Sequence, residues 1–594
     1  MHAALEPSSH TGWRWTAFIA AVWLVLVAAS LILRGEKAIE TWPDPDDAMR
    51  IVEVRDFLNG QAWHDLTQHR LDPTLPPSDG VSMHWSRLID APIAGIVLAL
   101  TPLVGAERAE QTAILIWPLL PALLLLPAAG FIGGRIAGRD GAILAVIATA
   151  FAAFTVTVYA PARIDHHNMQ IALGVALIAA LTSEGRTRAS FLAAGLFSGL
   201  ALTIGMETLP YVALGGMVIA LRWALDGVVW QQAFRDYAAA FALTATAGLV
   251  LNAPPALWLL PACDVVSPVY LAPLILAAGI ASLGGAVVTG RGGRLIIVAL
   301  AAGAAVAAVA LQNPVCLKGP YAAVDPRLFA VWMDHIREAR SAFDLFAANP
   351  IAFAGVFALP LAALAAVAFM GTQPARIAGL TLAIAIAIAL WQVRSLPFAA
   401  VLAAPVLAAA AARAARRAQS LPQVGRLAIG AALSNPVLIT LAASIVAGLV
   451  LPLSKEQQAR RASTAETDCL RRSDYRALAA LPPGLVLSNI AFGPLILAET
   501  PHSVIAAPYH RNRDGILDAV AMLTAAPDEA RALIRARGID YVAICAASGA
   551  LDTQLAGHPD ALFIALRNGQ TPDWLTRVPD SGNGGTWVYR VTSP

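Results

Sequence analysis

The sequence predicts a polytopic α-helical membrane protein with about thirteen transmembrane helices, followed by a C-terminal extracytoplasmic α/β domain. Of its 594 residues, 58% are hydrophobic and only 13% are charged, and the mean hydropathy is +0.64. Apolar runs of about 20 residues recur along the chain, which is the length that crosses a lipid bilayer. After position 454 the composition becomes mixed polar, as is typical of a domain folded in water.

The number of apolar segments decides on which side of the membrane each loop lies. Fourteen segments can be counted, at approximately 12–33, 90–107, 111–134, 140–160, 168–183, 189–206, 209–224, 233–252, 267–288, 294–312, 350–371, 376–392, 395–412 and 434–452. Segment 90–107 is interrupted by Pro92 and Pro102, and we expect it to lie at the membrane interface within the first outer loop, residues 34–110. Thirteen spans then remain.

Basic clusters give the orientation of these spans. With thirteen spans all of the clusters fall on one side, which the positive-inside rule makes cytoplasmic. The clusters are Arg135/Arg139, Arg186/Arg188, Arg291/Arg294, and Arg413, Arg416 and Arg417 with Arg426. The N-terminus is then inside and the C-terminal tail outside. The net charge of only +2, without a continuous basic stripe, argues against nucleic-acid binding.

The length of the first apolar run and the residue pattern after position 454 predict the structure at the two ends of the chain. Residues 12–33 are too long for the core of a signal peptide and are not followed by a clear cleavage site, so we expect a retained helix. Short β-rich runs such as "YVAIC" alternate with helical stretches such as "DEARALIRARG" after position 454. We therefore expect a transmembrane region over residues 1–454 and a soluble periplasmic domain over residues 455–594, in a bacterial inner membrane.

The four cysteines all fall on the outer side in this topology. Disulfides persist outside the cytoplasm, so the pairs Cys263–Cys316 and Cys469–Cys545 are one interpretation. Free buried thiols are the other, and the spacing does not choose between them.

An acidic cluster follows the first span, in the stretch "TWPDPDDAMRIVEVRDFLNG". Asp44, Asp46 and Asp47 lie within four positions, and a bound cation, or Arg50 and Arg55, would relieve their mutual repulsion. The alternative is a solvated helix start, where aspartate is favourable in any case.

Two further clusters fall on the same outer side. "YAPARIDHHNMQIAL" places Arg163, Asp165, His166 and His167 between two apolar spans, where a carboxylate and an imidazole two positions apart can reach one ion. "DPRLFAVWMDHIREARSAFDLF" offers Asp334, His335, Glu338 and Asp344, or is simply an amphipathic surface helix.

Two isolated charges complete the set of candidates. Arg394 lies in a very short outer turn, where a charge at membrane depth costs roughly 2.5–3.5 kcal/mol unless it snorkels to the surface. Glu207, in "IGMETLPYVA", ends another outer helix, and we expect a solvated interfacial glutamate there rather than a residue of the same cavity.

These motifs, in this order, resemble the catalytic subunits of the oligosaccharyltransferase family within the GT-C membrane glycosyltransferases, most closely the archaeal and bacterial lipid-linked members. "DPDDAMRIVEVRDFLNG" is similar to the family's D-P-D-x-Y-x-x-x-R motif, "RIDHHN" to its Asp-His-His motif and "HIRE" to its Thr-Ile-x-Glu motif. "LDPTLPPSDGVSMHWSRLIDA" resembles the family's stretch before an interfacial segment. The resemblance covers most of the spans and the tail.

The resemblance implies a role for each matched residue. Asp46 corresponds to the catalytic aspartate, or Asp44 if the alignment is shifted, and Asp47 is the third candidate. A divalent metal, Mg²⁺ or Mn²⁺, would be held by Asp46, Asp165, His167 and Glu338, while Arg394 would face the lipid phosphate. Arg163 is a further candidate for substrate binding. One imidazole among carboxylates suits Mn²⁺ better than Mg²⁺.

The implied reaction moves a sugar or oligosaccharide from a polyprenyl phosphate or diphosphate to an acceptor outside the cytoplasm. The chain departs from the family where enzymes that modify Asn-x-Ser/Thr carry a Trp-Trp-Asp motif, because Ile490–Gly493 offers no acidic side chain there. We therefore expect a glycan, lipid or other non-sequon acceptor. His502, His510 and Arg511, near Tyr509 and Asn512, either bind it or cap loops of the outer domain.

Two other functions compete with this one. The first is a GT-C transferase that takes a monosaccharide from a phospholipid and modifies lipid A or a polysaccharide. The second is a secondary transporter or flippase for lipid-linked sugars. Transporters usually carry ionisable residues at the membrane midplane on inverted repeats, whereas the charges here gather at one face.

Overall fold

The computed structural model describes residues 9–74, 79–183, 187–418, 420–451, 469–546, 552–579, 581 and 585–592. Helices fill the chain up to residue 450, and a small mixed sheet with its own helices follows. The expected domain boundary at 454/455 and Arg186 of the basic clusters lie outside the described residues.

Nineteen helices are described before residue 451. Their bounds are α1 Ser9–Glu40, α2 Pro45–Leu58, α3 Arg87–Val104, α4 Ala106–Ile116, α5 Ala122–Ala150, α6 Ala153–Val158, α7 His167–Leu181, α8 Arg188–Ile204, α9 Leu209–Asp226, α10 Gln231–Asn252, α11 Pro268–Val287, α12 Arg291–Gln312, α13 Pro326–Val331, α14 Ala342–Ala348, α15 Pro350–Val367, α16 Gln373–Trp391, α17 Leu396–Ala415, α18 Gln423–Leu433 and α19 Pro436–Val450.

Within the described ranges, nine helical segments are long and apolar enough to cross a membrane, and shorter apolar helices such as α7 and α8 lie among them. Large apolar side chains on these segments are exposed, for instance Leu311 at 87% and Leu449 at 82%. A surface of this kind is solvated by lipid. The prediction of a polytopic α-helical membrane protein is confirmed, whereas the count of thirteen spans and the interfacial position of α3 stay predictions.

Helix α5 is two helices joined at a break. Gly138 has a φ of +62°, and Ala137 before it is also non-helical. A Cβ on Gly133 would lie 2.4 Å from the Gly141 carbonyl oxygen, so the two halves fold back onto each other closely. The break separates the chain where the sequence predicts two segments, 111–134 and 140–160. Small residues allow this close approach, as is common between helices in lipid.

The C-terminal unit contains a five-stranded sheet in the order β4-β3-β5-β7-β6. Its strands are β3 Leu485–Ser488, β4 Ser503–Val504, β5 Tyr541–Cys545, β6 Leu575–Arg577 and β7 Thr586–Val591, and its helices are α20 Arg476–Ala479, α21 Gly493–Glu499, α22 Arg513–Thr524, α23 Pro527–Ala536, α24 Asp552–Leu555 and α25 Leu562–Arg567. β3 is parallel to β4 and β5, whereas β7 is antiparallel to both of its neighbours. This confirms the predicted C-terminal α/β fold.

The first outer loop attaches to this sheet. It contains the short hairpin β1 Thr67–Gln68 and β2 Val81–Ser82, and Leu71 pairs with Val504 beyond it. Helix α21 packs on the acidic helix α2, and Trp42 Nε1 donates to Glu499 Oε1 at 2.7 Å. The acidic helix is therefore fixed between the helical bundle and the C-terminal unit.

Both disulfides of the first interpretation are present. Cys263 pairs with Cys316, and Cys469 pairs with Cys545. The first bridge joins the loop before α11 to the segment that follows α12. The second joins β5 to the residues that lie beside Trp42, because Trp42 N–H donates to the Leu470 carbonyl at 3.1 Å.

Candidate functional site

The acidic cluster is the start of helix α2. Asp44 is its N-cap, with an extended backbone and a side chain that accepts the Asp46 N–H at 3.1 Å, and Pro45 occupies the first helical position. Both residue types favour a helix start, and carboxylates near it are stabilised by the helix dipole. The local structure is thus the helix start of the alternative interpretation, but Asp47 is fully buried instead of solvated.

Arg163 is the counter-charge of this cluster. Its Nη1 donates to Asp47 Oδ2 at 3.0 Å and lies 3.4 Å from Asp44 Oδ2. The expectation that Arg50 or Arg55 relieves the repulsion is wrong. Arg50 pairs with Asp90 at 2.6 Å, and Arg55 pairs with Glu110 at 2.7 Å.

The loop between α6 and α7 carries Arg163 and Asp165 to the acidic helix. Ala162 has a φ of +68°, and its N–H donates to the Ile114 carbonyl at 3.0 Å, while Asn168 Nδ2 donates to the Arg163 carbonyl at 3.0 Å. The loop ends with the Asp165 N–H donating to Asp47 Oδ1 at 3.0 Å. The first two predicted clusters therefore form one site.

Asp165, His166 and His167 are the described residues whose ligand atoms converge for a metal ion. One such atom from each lies within 4.8 Å of the others. His167 Nδ1 bonds directly to Asp165 Oδ2, and the two imidazole rings stack with centroids 4.5 Å apart. A cation bound by Asp165 and His167 would replace that direct bond. His166 was not predicted as a ligand, whereas Asp46 and Glu338 were predicted and lie outside this converging set.

The charges of the cluster favour an added cation. Burial raises the pKa of Asp47 to about 8 although the Arg163 charge opposes the shift, and burial with the neighbouring Asp44 and Asp165 charges raises the pKa of Asp46. Burial would also raise the pKa of Asp165, but the two histidines outweigh it and hold that pKa well below its usual range. Carboxylate oxygens and imidazole nitrogens are ligand atoms that can bind a divalent cation.

Glu207 belongs to the same site, contrary to the expectation of a solvated interfacial residue. Its side chain is 22% exposed, and its Oε2 accepts from Gln170 Nε2 at 3.1 Å and lies 4.0 Å from His166 Nε2. Tyr321 OH donates to Glu207 Oε1 at 3.0 Å. Sequence reasoning missed Gln170 and Tyr321, because nothing in their local patterns marks a site; only the order of the spans brings them here.

Arg394 and Glu338 meet each other at the outer edge of the site. Arg394 Nη2 donates to Glu338 Oε1 at 3.2 Å, with side chains 19% and 56% exposed. The Arg394 guanidinium carbon lies 5.8 Å from the Tyr321 ring centroid. Asp334, His335 and Asp344 of the third cluster take no part; Asp344, for example, closes a capping box with Ser341.

The three candidates in the C-terminal unit divide into two groups. His502 is fully buried, accepts the Gly484 N–H at 3.1 Å on Nδ1 and bonds through Nε2 to the Leu478 carbonyl at 2.8 Å, so it holds loops of its own domain. His510 and Arg511 both donate to Asp264 Oδ2 at 2.8 Å. They attach the C-terminal unit to the loop before α11, a role that neither interpretation of this cluster foresaw.

The segment in place of the sequon-reading motif lies next to the acidic helix. Residues Ile490–Phe492 form one 3₁₀ turn after β3 and lead directly into α21, which packs on α2. The turn supplies apolar side chains only, and Ile490 is buried.

Comparison with known proteins identifies the fold. No protein-family model and no curated protein sequence matches the chain. The oligosaccharyltransferase AglB from Archaeoglobus fulgidus, with an inhibitory peptide and a dolichol-phosphate, superimposes with a TM-score of 0.60 at 13% identity, over 98% of this chain and 75% of that one.

Two further structures of the Archaeoglobus fulgidus oligosaccharyltransferase superimpose on this chain with similar scores. The form tethered to an acceptor peptide with an NVT sequon gives a TM-score of 0.59 at 15% identity, over 98% and 75% of the two chains. The form with Zn and sulfate gives 0.55 at 16% identity, over 96% and 73%. The chain therefore has the GT-C fold of the archaeal oligosaccharyltransferases, with which it shares little sequence.

Proposed function

We propose that this chain is a membrane glycosyltransferase that moves a sugar or oligosaccharide from a polyprenyl phosphate or diphosphate to an acceptor outside the cytoplasm. The observation that carries the proposal is the bonding of Asp47 to Arg163 and Asp165, which joins two distant charged motifs into one buried site. The fold of an oligosaccharyltransferase supports it, as do the dolichol-phosphate and the acceptor peptide bound in the Archaeoglobus structures.

In the proposed reaction an acceptor oxygen forms a bond to the anomeric carbon while the bond from that carbon to the phosphate oxygen breaks. The bonding electron pair leaves with the polyprenyl phosphate, and attack from the opposite face inverts the anomeric configuration. We assign Asp46 as the base that takes the acceptor proton, because its motif resembles the one that carries the family's catalytic aspartate. Asp44, which bonds to the Asp46 backbone, is the alternative base.

The remaining residues bind and orient. Arg394 would donate to the donor phosphate, and Arg163 holds Asp47 and Asp44 in place. A bound Mg²⁺ or Mn²⁺, held by Asp165 and His167 with Asp46 and Glu338 closing the site, would act as a Lewis acid toward charge on the departing phosphate. His510 and Arg511 keep the C-terminal unit against the membrane region by their bonds to Asp264.

We further propose the inner membrane of a bacterium as the location, with the C-terminal unit, from about residue 455, in the periplasm. Both disulfides then lie in an oxidising compartment. An alkaline phosphatase fused after Pro594 tests this topology, because the enzyme is active only outside the cytoplasm. An inactive fusion that is made in normal amounts contradicts it.

The acceptor is proposed to be a glycan, a lipid or another non-sequon group. The side chain of Ala491 has no atom that accepts a hydrogen bond from Ser or Thr, and sites that depend on such a bond discriminate strongly. Mass spectrometry of exported proteins tests this point. Sugar on asparagine in Asn-x-Ser/Thr sequences that disappears in Asp165→Ala would contradict it.

Mass spectrometry of polyprenyl-linked sugars and surface glycans tests the activity itself. Cells without the gene, and cells with Asp165→Asn and His167→Ala, should accumulate a lipid-linked sugar and lose the same sugar from one acceptor class. Asp514→Asn is the matched control, because that exposed carboxylate pairs with its neighbour Arg513 at 2.7 Å. Unchanged lipids and glycans in all strains would contradict the proposal. A transporter would instead move the lipid without consuming it.

A further inference from the structure

Arg394 is a single cation that two carboxylates already balance. Glu338 bonds to it at 3.2 Å, and Glu207 is linked to it through Tyr321, whose hydroxyl donates to Glu207 at 3.0 Å and whose ring lies 5.8 Å from the guanidinium carbon. Arg394 Nε is buried and has no hydrogen-bond partner among the described residues. The guanidinium therefore has a free donor but no surplus charge.

The other described cations of this region are engaged elsewhere. Arg163 is taken up by Asp47 and Asp44, at 3.0 and 3.4 Å. Arg340, whose carbonyl accepts the Val393 N–H at 3.0 Å, acts electrostatically on Asp344. The imidazoles of His166 and His167 act electrostatically on Glu207 more strongly than Arg394 does, and both also contact Asp165, so their charge is shared between two carboxylates.

The two carboxylates differ in how firmly they are held. Glu338 is 56% exposed, and the described contacts of its carboxylate consist of the bond to Arg394. Glu207 is 22% exposed and is bonded on both oxygens, by Gln170 and by Tyr321. An incoming phosphate can therefore replace Glu338 on Arg394 and release it for its proposed place beside the metal ion, whereas Glu207 stays beside Arg394.

The charge of the donor decides whether the phosphate brings in as much negative charge as the displaced Glu338 takes away from Arg394. A sugar linked through one phosphate is a phosphodiester with one negative charge, which replaces the one charge of Glu338. A sugar linked through a diphosphate carries two. The proposed metal ion, itself held by carboxylates, would offset part of the second charge, and the rest meets Glu207. Like charges that are brought together in a binding site weaken binding of the wrong ligand.

We propose that this site selects donors linked through a single phosphate over donors linked through a diphosphate, and that Glu207 is the residue that discriminates. The inference rests on the proposed function, since it concerns the donor of that same reaction. Tyr321 is a positioning residue, because it keeps Glu207 next to Arg394.

The test measures binding of two capped lipids to the purified full-length protein in detergent with Mg²⁺. The probes are the methyl esters of undecaprenyl phosphate and of undecaprenyl diphosphate, which carry the one and two charges of the sugar-linked donors. We expect the monophosphate ester to bind at least about tenfold more tightly, a difference of ~1.4 kcal/mol. Glu207→Gln keeps the shape of the side chain and removes its charge; its amide oxygen can still accept from Gln170, and its NH₂ group can donate to the Tyr321 hydroxyl. The variant should remove most of this difference by strengthening diphosphate binding.

Glu110→Gln is the matched control, because Glu110 also pairs with an arginine at 2.7 Å and its side chain is 21% exposed. It should leave both dissociation constants unchanged. Tighter binding of the diphosphate ester by the unmodified protein, or an equal effect of Glu207→Gln on both esters, overturns the inference and leaves the proposed function standing. Binding of neither ester overturns both.

Discussion

The backbone N–H of Asp165 donates to Asp47 Oδ1 at 3.0 Å, although 118 positions separate the two residues in the chain. Both side chains are buried, and Arg163 bonds to the same Asp47 carboxylate. The start of helix α2 and the loop before α7 therefore hold each other in place. Changes at this contact should affect stability and activity together.

Arg163→Ala should destabilise the protein, because it leaves the buried Asp47 carboxyl without its cation. We expect a loss of at least about 2 kcal/mol, seen as a lower thermal midpoint in detergent. Adding Asp47→Asn to this variant should recover most of the loss. Arg513→Ala removes an exposed pair and should change the midpoint little. A wild-type midpoint for Arg163→Ala would show that the contact contributes nothing.

Asp165→Asn combined with His167→Ala should weaken binding of Mn²⁺, measured by calorimetry on the purified protein, by at least about tenfold. The reason is that both changes remove ligand atoms of the converging set. Asp514→Asn, at an exposed carboxylate, is expected to bind the ion as the unmodified protein does. Unchanged affinity in the double variant would place the metal elsewhere or exclude it.

Replacing Cys263 and Cys316 by serine should lower stability by about 4 kcal/mol in the chain-entropy account, since the bridge closes a loop across a sequence separation of 53. The bridge also joins the loop of Asp264 to the segment that leads to Tyr321. We therefore expect reduced transfer activity even at temperatures where the variant stays folded. The measurement is thermal unfolding with parallel activity assays. Equal midpoints with and without the bridge would refute the predicted loss of stability.

The contact of Asp264 with His510 and Arg511 should make the protein less stable as the pH becomes acid. Burial alone would raise the pKa of Asp264, but the hydrogen bonds and charges of His510 and Arg511 hold it well below its usual range. A depressed folded-state pKa stabilises the protein above the unfolded value of about 3.9, and this contribution is lost as the pH falls below that value.

The matching experiment compares the unmodified protein with Asp264→Asn across this acid range. The unmodified protein should have the higher midpoint at neutral pH, and the difference should shrink as the pH falls to about 3. If the difference between the two thermal midpoints grew toward acid pH, Asp264 would not have the lowered pKa on which this prediction depends.

The helical bundle and the C-terminal fold could both be predicted. For the bundle, the reason is that a segment that crosses lipid must be apolar and long enough to span it. Runs of apolar residues mark the helices, and Gly138 between two such runs already separates α5 where the backbone breaks. The α/β pattern was equally visible, since buried strands such as β5 read as continuous apolar runs.

The site could be predicted only in part. Asp46, Asp165, His167 and Glu338 lie in charged motifs, and Arg394 is a lone charge in a very short outer turn. Gln170 and Tyr321 are uncharged residues in apolar or loop surroundings, and Glu207 is a lone charge that its surroundings did not connect to the site. The partner of Asp47 was misjudged because Arg50 and Arg55 are close in sequence, but their helical positions direct them to Asp90 and Glu110. Contacts between distant segments are set by tertiary packing, which local patterns do not encode.

Release of polyprenyl phosphate by the purified protein tests the central claim most directly. The protein is incubated with a lipid extract that contains sugar-linked polyprenyl lipids, with an acceptor extract and with Mg²⁺ or Mn²⁺, and the lipids are quantified by mass spectrometry. The account predicts that the unmodified protein converts a sugar-linked lipid to its free phosphate, and that Asp165→Asn with His167→Ala does not. Equal conversion by both proteins, or consumption of no lipid by either while both are folded, would contradict it.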